Sequence, residues 1–435
     1  MRKANRRLIF WIIFILALCL RLFYAFSASA PISGDGAAYD RMAYFLMHNH
    51  QYAMEEGRPT AFCTPFYAIF LAAIYSLFGH SLIAVKIAQA VLGLAVCVII
   101  YFLAREIFSE AVAFIAFFLT GAHYFFISYG LLVLSENLFI FFVALTVLFL
   151  AKLIKKPLKI YAALFGLSAS CATLTRSAFF LFPFFILGVL IIFRGGLPNQ
   201  GRGILRRMVL AVAAFLIPVA LWAGRNFFVF KKFIPLGTEA GIILYNNYNP
   251  PQGKILDVTV RDEVMAAAHR MPEAQGCDFL VKHTIGLIKK DPSRIYRYIP
   301  LRLMYFFSPF DWAAFAGPGV YNFSFAFIFP LALMGLAIIF KRYGAFLAAL
   351  VISPVVYFII IAALIIGVPR TRLPVEPYLI ICAAFFIYRA VHKSRHKIFS
   401  VGVFVFWFAL NFILYLNSAA VKAAARSALR AIGAW

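Results

Sequence analysis

The sequence is poor in charged residues and lacks the common signatures of soluble enzymes. Only 13% of its 435 residues are charged and 64% are hydrophobic, more apolar surface than a soluble fold of this size can bury. No Walker loop or dinucleotide fingerprint occurs, so nothing indicates ATP or NAD. The six cysteines are scattered, mostly within apolar runs, and predict neither a disulfide framework nor a zinc site. The net charge of +25 comes without a basic run interleaved with aromatics, which argues for a membrane partner and against nucleic acid.

Apolar runs of about 20 residues, the length that crosses a bilayer, recur along the chain. They are 8–26, 82–104, 111–129, 135–151, 159–175, 177–193, 208–229, 321–340, 345–367, 373–390 and 398–417. Residues 65–78 are apolar but shorter, with Pro65 at the first turn, which predicts a helix lying along the interface. The sequence therefore predicts an all-α polytopic membrane protein with about 11 (10–13) transmembrane helices.

The first apolar run follows a basic cluster, Arg2 to Arg7, and so has some features of a signal peptide. Its length and the interruption at Arg21 favour an uncleaved span. The small residues from Ala28 to Ala30 leave cleavage open as an alternative.

Lys and Arg prefer cytoplasmic loops, and their placement orients the predicted spans. If residues 65–78 do not cross, the Lys152 to Lys159 cluster lies on the same side as the basic N-terminus. The later basic loops, from Arg194 to Arg207, at Lys341 and Arg342, and from Arg389 to Lys397, then fall on that side too. We expect a cytoplasmic N-terminus in the plasma membrane.

This threading divides the chain into three parts and places the acids on one side. We expect a membrane module at 1–230 with a first external loop at 27–81, an external region at 231–320 with amphipathic helices, and a C-terminal membrane module at 321–435. Of the 16 Asp and Glu, only Glu106 and Glu110 remain on the cytoplasmic side. The polar chemistry is therefore expected at the external face.

Two external acids are candidates for chemistry. Asp35 stands in Ser33-Gly34-Asp35-Gly36, directly after the first span, where the glycines give a tight turn. Glu136 opens the fourth span after a nearly unbroken apolar stretch, where a carboxylate is costly without a partner or a role. The alternatives are an ordinary turn aspartate and a helix cap.

Four arginines near the external interface are candidates for binding a lipid phosphate, because a guanidinium can hold a phosphate in two directions at once. Arg176 lies between the fifth and sixth spans, and Arg225 lies near the outer end of the seventh. Arg370 and Arg372 enter the tenth span together with Glu376. Snorkelling toward headgroups and a structural ion pair are the alternatives.

Amides and phenols that suit sugar hydroxyls are concentrated in the segment from Gly241 to Pro251. It contains Tyr245, Asn246, Asn247 and Asn249. A turn-rich surface loop without a binding role would have the same composition.

Together these motifs resemble the polyprenyl-phosphate-sugar-dependent glycosyltransferases of the GT-C fold, the group of the protein O-mannosyltransferases and the lipid A aminoarabinose transferase. The resemblance covers most of the chain. It rests on Gly34 to Tyr39, Thr64 to Tyr67, Leu134 to Asn137, Asn247 to Pro250 and Arg372 to Pro377.

The resemblance implies that Asp35 is catalytic, that Glu136 supports it and that Tyr39 contacts sugar or acceptor. In relatives, the acid of the second external loop is often Asp, whereas this sequence has Glu136 there. The sequence predicts no separate soluble domain after the last span, so the resemblance does not indicate the type of acceptor.

The function expected from these residues is transfer of a sugar from a polyprenyl-phosphate donor to an acceptor hydroxyl. Asp35 would accept the proton, with inversion at the anomeric carbon, while the arginines neutralise the departing phosphate. A divalent cation held by Asp35 and Glu136 is an open alternative. A lipid or sugar flippase and a non-catalytic assembly subunit or polymer ligase of the cell envelope are the rival functions. The acceptor is left open between protein, lipid and polysaccharide.

Overall fold

The computed structural model describes most of the chain. The described residues are 3–27, 32–193, 195, 201–249, 262–310, 321–393, 397–417, 420 and 427. The predicted alternative cleavage site at Ala28 to Ala30 lies outside them, as do the basic residues Arg194 and Arg395 and the loop residue Pro250.

The described residues are almost entirely helical. The helices of the first half are α1 (Lys3–Ser27), α2 (Asp35–Asn49), α3 (Phe66–Phe78), α4 (Leu82–Ile107), α5 (Glu110–Gly121), α6 (Tyr124–Ser128), α7 (Glu136–Lys155), α8 (Lys159–Thr175), α9 (Phe182–Ile192) and α10 (Gly201–Phe230). Those of the second half are α11 (Glu239–Tyr248), α12 (Glu263–Arg270), α13 (Glu273–Lys290), α14 (Arg294–Arg297), α15 (Ile299–Phe306), α16 (Phe323–Leu364), α17 (Pro369–Arg372), α18 (Glu376–Lys393) and α19 (Lys397–Leu416). The only described strands, β1 (Ala53–Glu55) and β2 (Arg58–Pro59), form a small antiparallel hairpin.

Every predicted span coincides with helical structure, but the number of crossings stays a prediction. By length and composition, five described helices could cross a membrane, or six if the α5–α6 pair counts as one bent span. These five are α1, α4, α7, α10 and α16. The windows at 321–340 and 345–367 occupy the two halves of α16, which is broken at Gly344 with φ of 82°. The windows at 159–175 and 177–193 fall on helices of 17 and 11 residues, and the window at 373–390 falls on a helix that contains Glu376, Arg389 and Lys393.

The predicted interfacial helix after Pro65 is present as α3, with 13 residues. It ends at Gly79, whose φ of 68° is a conformation that glycine adopts without strain. The helix packs against α2, so the first loop carries ordered structure between α1 and α4.

Close helix contacts hold the bundle together. The α8 and α10 backbones meet at Gly166, where an added Cβ would lie 2.1 Å from the Ala211 carbonyl oxygen. The α16 and α18 backbones meet at Gly335, where it would lie 2.0 Å from the Cys382 carbonyl oxygen. Small residues at such crossings let the chains approach closely enough for van der Waals packing, the main attraction between helices in lipid.

A separate apolar cluster stabilises the region between α10 and α14. Its buried members are Tyr245, Met265, Ala268 and Leu280, from α11, α12 and α13. This cluster gives the predicted external region packing of its own.

Two ion pairs bring four helix ends together at one end of the bundle. Arg6 of α1 pairs with Glu110 at the start of α5, and Lys155 at the end of α7 lies 3.1 Å from Glu106 near the end of α4. These are the two acids that the threading assigned to the side of the basic N-terminus. The candidate site residues lie away from this end: Glu136 begins α7 at its other end, and Asp35 begins α2 after the other end of α1.

Candidate active site

Asp35 is the first residue of α2, and two glycines determine where it lies. Gly34 has φ of 54°, a left-handed conformation that favours glycine. Gly36 lies against the segment before α7, because an added Cβ would be 2.9 Å from the Val133 carbonyl oxygen. This contact places the Asp35 carboxylate beside the start of α7. The Asp35 side chain is 55% exposed and accessible to a substrate.

Glu136 is the first residue of α7 and is almost fully buried. Its Oε1 accepts hydrogen bonds from Arg176, at 2.6 Å from Nη1, and from Nε of Arg370. A buried carboxylate is strongly destabilising unless it is paired in this way. The two guanidiniums therefore hold Glu136 in its ionised form.

Arg370 connects the two predicted acids. Its Nη1 donates to Oδ2 of Asp35 at 2.7 Å while its Nε donates to Glu136. The short helix α17 presents Arg370 where the chain turns from α16 into α18. The structure thus brings together Asp35, Glu136, Arg176 and Arg370: an exposed carboxylate, the buried pair of Glu136 and Arg370, and a partly exposed second arginine.

Tyr39 lies one turn along α2 from Asp35 and is buried next to this cluster. Its hydroxyl donates to Oγ of Ser135 at 3.4 Å, and Arg176 donates to the same oxygen at 3.3 Å. Burial raises the pKa of Tyr39 well above its ordinary value, so the phenol stays protonated and acts as a donor. Because the Tyr39 side chain is buried, a sugar can contact it directly only if the neighbouring side chains move.

Glu239 is a site residue that the sequence analysis missed. It opens α11, and its carboxylate lies within 3.5 Å of Cys63 Sγ and of Ser177 Oγ. Burial raises the pKa of Glu239, Arg176 opposes this shift, and the Asp35 carboxylate adds to it. Ser177, which Glu239 contacts, directly follows Arg176 in the chain. The place of Glu239 is set by contacts between residues far apart in the sequence, and its local sequence gives no signal beyond an external acid at a helix start.

Arg225 is not part of the cluster around Asp35. It donates to the carbonyl oxygens of Thr60 at 2.7 Å and Tyr52 at 3.1 Å, and its guanidinium lies over the Trp222 ring. Instead of facing the carboxylates as expected of a phosphate ligand, it fastens the first loop to α10.

Arg372 also differs from the expectation of a phosphate ligand. It is fully buried, donates to Glu376 at 2.8 Å and to the carbonyl oxygens of Phe306 and Ser308, and lies over the Phe325 ring. Nε2 of His123 lies 2.9 Å from the other oxygen of Glu376. The structural ion pair, which the sequence left open, is the arrangement found.

The predicted sugar-contact residues of α11 have contacts apart from the cluster. Tyr245 donates to Asp262 at 2.5 Å and accepts from Asn249 at 2.8 Å. Asn247 donates to the Ile243 carbonyl oxygen, and its own carbonyl oxygen accepts from the buried Arg302 at 2.6 Å. Asn246 is buried. These contacts fold the end of α11 onto its neighbours, and a sugar-binding role for them stays a prediction.

The tentative metal site at Asp35 and Glu136 does not fit this arrangement. Arg370 lies between the two carboxylates and occupies the position in which a shared cation would sit. Among the described residues, no group of three His, Cys, Asp or Glu side chains is close enough to hold a metal. The positive charge at the site comes from arginine.

Comparison with known proteins supports the resemblance suggested by the motifs. Residues 60–222 match a family model described as dolichyl-phosphate-mannose-protein mannosyltransferase, over less than half of the chain. No curated protein matches the sequence.

Solved structures show the same fold. The archaeal oligosaccharyltransferase AglB from Archaeoglobus fulgidus, in complex with an inhibitory peptide and a dolichol-phosphate, aligns with a TM-score of 0.60 at 16% identity, covering 96% of this chain and 56% of that one. A second structure of the A. fulgidus oligosaccharyltransferase, with zinc and sulfate, also gives 0.60 at 16% identity, with coverages of 94% and 52%. ArnT from Cupriavidus metallidurans bound to undecaprenyl phosphate aligns with a TM-score of 0.46 at 12% identity, covering 88% of this chain and 78% of that one.

The chain is an all-α, multi-pass membrane protein with the fold of the GT-C glycosyltransferases. The resemblance predicted from its motifs is confirmed. The chain spans about half the length of the oligosaccharyltransferase structures that it matches.

Proposed function

We propose that this protein is a membrane glycosyltransferase that takes its sugar from a polyprenyl-phosphate donor and passes it to an acceptor hydroxyl. The observation that carries the proposal is the bridge formed by Arg370 between Asp35 and Glu136. It places an accessible carboxylate directly beside a buried positive group. Such a pair suits a reaction in which a proton leaves one atom while negative charge develops on another.

In the proposed step the acceptor oxygen attacks the anomeric carbon of the sugar. The bond between that carbon and the phosphate oxygen breaks, and its electron pair leaves with the polyprenyl phosphate. Asp35 receives the proton of the acceptor hydroxyl. A single displacement of this kind inverts the anomeric centre.

The leaving phosphate gains negative charge, and Arg176 and Arg370 are the arginines of the cluster that can neutralise it. Arg176 is 27% exposed, which leaves part of its guanidinium accessible to a substrate. Glu136 acts as a positioning residue, because it contacts both guanidiniums and is itself buried. Removing one preorganised donor from such a site typically costs about 10²- to 10³-fold in rate.

The proposed location of the reaction is the external face of the plasma membrane. This follows from the threading, in which the basic loops lie on the cytoplasmic side and Asp35 follows the outward end of α1. The family model and the dolichol-phosphate in the AglB structure support a lipid-phosphate donor. The proposed acceptor is a compound with a free hydroxyl group, and the proposed sugar is a monosaccharide linked to the lipid phosphate.

The test uses the purified full chain in lipid nanodiscs, with undecaprenyl-phosphate-linked mannose, glucose and arabinose supplied one at a time. With water as the acceptor hydroxyl, we expect wild-type protein to release free sugar from at least one lipid and Asp35→Asn to lower the rate about 10²- to 10⁴-fold. The matched control is Asp278→Asn, which removes a carboxylate of similar exposure that pairs with Lys232. Full activity of Asp35→Asn would contradict the mechanism.

The same variants distinguish the rival function. In liposomes a flippase moves the intact lipid across the bilayer and leaves the sugar attached. Relocation without cleavage would replace the transferase proposal.

A further inference from the structure

Glu239 occupies a position that the backbone defines closely. The Thr238 amide donates to the Ala61 carbonyl oxygen at 2.9 Å, and the Glu239 amide donates to that of Phe62 at 3.1 Å. An added Cβ at Gly237 would lie 2.8 Å from the Phe62 carbonyl oxygen. The segment 237–239 therefore lies directly along residues 61–63 of the first loop.

A second acid, Glu273, connects the same two segments. Glu273, at the start of α13, accepts hydrogen bonds from Thr60 Oγ1 at 2.7 Å, the Ala61 amide at 2.9 Å and Thr238 Oγ1 at 2.7 Å. The Glu273 carboxylate thus accepts hydrogen bonds from both segments and connects them. These hydrogen bonds fasten the backbone on either side of the junction between the segments, next to Glu239.

The Glu239 carboxylate, in contrast, has weak partners. Its contacts to Cys63 Sγ and Ser177 Oγ are both 3.5 Å long, and a thiol is a poor donor. An ionised carboxylate offers about four acceptor positions. Glu239 is only partly buried, and Ser177, one of its two contacts, directly follows Arg176, which pairs with Glu136. This acceptor capacity therefore lies next to the candidate site.

Charge determines which part of a lipid-phosphate sugar can use this capacity. Glu239 and Asp35 are both acids, so a phosphate placed against Glu239 would be repelled, whereas Arg176 and Arg370 attract it. Sugar hydroxyls are donors without charge, and a hydrogen bond from a neutral donor to a carboxylate is among the stronger ones in proteins. The sugar is the part of the donor that complements Glu239.

We infer that Glu239 is a sugar-binding residue that accepts hydrogen bonds from hydroxyls of the donor monosaccharide, a role that rests on the proposed function. The site then has two parts. The arginines bind the phosphate, and Glu239 recognises the monosaccharide and holds its anomeric carbon near Asp35.

The experiment compares affinities for bare undecaprenyl phosphate and for undecaprenyl-phosphate-linked mannose, glucose and arabinose, measured on the full chain in nanodiscs. Wild-type protein is expected to bind at least one sugar-linked lipid more tightly than the bare lipid. Glu239→Leu should weaken that affinity about 10- to 100-fold, because it removes a hydrogen bond to a charged group. The affinity of Glu239→Gln for the sugar-linked lipid should lie between those of wild-type protein and Glu239→Leu, because its amide oxygen still accepts a hydrogen bond.

Affinity for the bare lipid should stay the same or rise in both variants, since a negative charge has been removed near the phosphate. The control, Glu56→Gln, removes an exposed acid of the hairpin between β1 and β2 and should change neither affinity. Equal weakening for both kinds of lipid would mean that Glu239 only supports the fold, and no weakening would mean that it does not touch the sugar. Either result overturns the inference, as would a wild-type protein without preference for any sugar-linked lipid.

The outcome for Glu239 can be separated from the outcome for the enzyme. Sugar release that depends on Asp35 and not on Glu239 would leave the proposed function standing and end the inference. Failure of wild-type protein to bind or cleave any of the lipids would remove both.

Discussion

At the scale of single residues, Arg370 determines how the two acids are held. Its fork-shaped guanidinium donates to Asp35 and Glu136 from different nitrogens, and a lysine ammonium is a single point charge that cannot reproduce this geometry. We predict that Arg370→Lys lowers sugar release at least about tenfold and weakens binding of bare undecaprenyl phosphate. Rates and affinities in nanodiscs provide the measurement.

Stability should change less, because Arg176 still pairs with Glu136 in the Lys variant. Arg370→Met is expected to cost about 1–3 kcal/mol, as a buried carboxylate loses one of its charged donors. The matched control is Arg58→Lys, whose exposed pair with Glu55 should contribute no more than about 1 kcal/mol. Normal rates and lipid affinity in Arg370→Lys would show that the bridge has no part in binding or transfer.

The sequence indicates those site residues whose position is visible from the chain itself. Asp35 and Glu136 stand next to long apolar runs, where a charged group is unexpected, and this made them candidates. Glu239 carries no such mark, since its partners at residues 61–63 become neighbours only through folding. Arg372 had the same local signal as Arg370, and only the structure shows that it turns inward to Glu376.

At the scale of elements, the junction between residues 61–63 and 237–239 should be sensitive to one methyl group. We predict that Gly237→Ala displaces the start of α11, because the new Cβ would meet the Phe62 carbonyl oxygen at 2.8 Å. Overpacking of this kind typically costs about 1–3 kcal/mol. Affinity for the sugar-linked lipid should fall while affinity for the bare lipid is kept, and binding and thermal unfolding measure the two effects.

The control is Gly286→Ala in α13, where an added Cβ meets no atom within 4 Å. Alanine favours a helix over glycine by about 0.5–1 kcal/mol, so this variant should be neutral or slightly more stable. If both variants bind the sugar-linked lipid like wild-type protein, the junction does not position the sugar-binding residue.

The buried group of His123, Arg372 and Glu376 joins three parts of the bundle. Glu376 begins α18, and His123 lies in the break between α5 and α6. Arg372 donates to the carbonyl oxygens of Phe306, the last residue of α15, and of Ser308. We predict that Glu376→Leu destabilises the protein by about 3–5 kcal/mol, since it leaves a fully buried guanidinium without its counter-ion. Thermal unfolding in detergent gives the measurement.

The control is Glu55→Leu, which makes the same substitution at an exposed position, in the ion pair of Glu55 with Arg58 in the β-hairpin. Its expected effect is about 0–1 kcal/mol. Equal effects of the two substitutions would contradict a supporting role for the buried group.

Helix positions were predictable because apolar runs of this length have few alternatives to helix in a membrane, and each predicted window falls on helical structure. The break between α5 and α6 was not predicted. Residues 111–129 form one continuous apolar run, but the helices bend by 55° there. His123 at the bend lies 2.9 Å from Glu376 of α18, a contact that local composition does not show.

At the scale of the whole molecule, charge is distributed unequally between the ends of the bundle. The chain has 41 Lys and Arg against 16 Asp and Glu. Contacts of Arg6 with Glu110 and of Lys155 with Glu106 show that the basic N-terminus and the end of α7 share one end. The arrangement agrees with a positive-inside orientation, in which the Asp35 cluster faces outward.

That orientation predicts which surface a membrane-impermeant thiol reagent can reach in intact cells. The six native cysteines are first replaced, and single cysteines are then introduced as Glu56→Cys in the β-hairpin and Lys156→Cys after α7, both at exposed positions. Glu56→Cys should be labelled in intact cells, and Lys156→Cys only after permeabilisation, because the positive-inside preference places the lysine cluster in the cytoplasm. Labelling of both after permeabilisation is the control for reactivity. The reverse pattern in intact cells would put the carboxylates on the cytoplasmic side, where the donor sugar would have to be presented from within the cell.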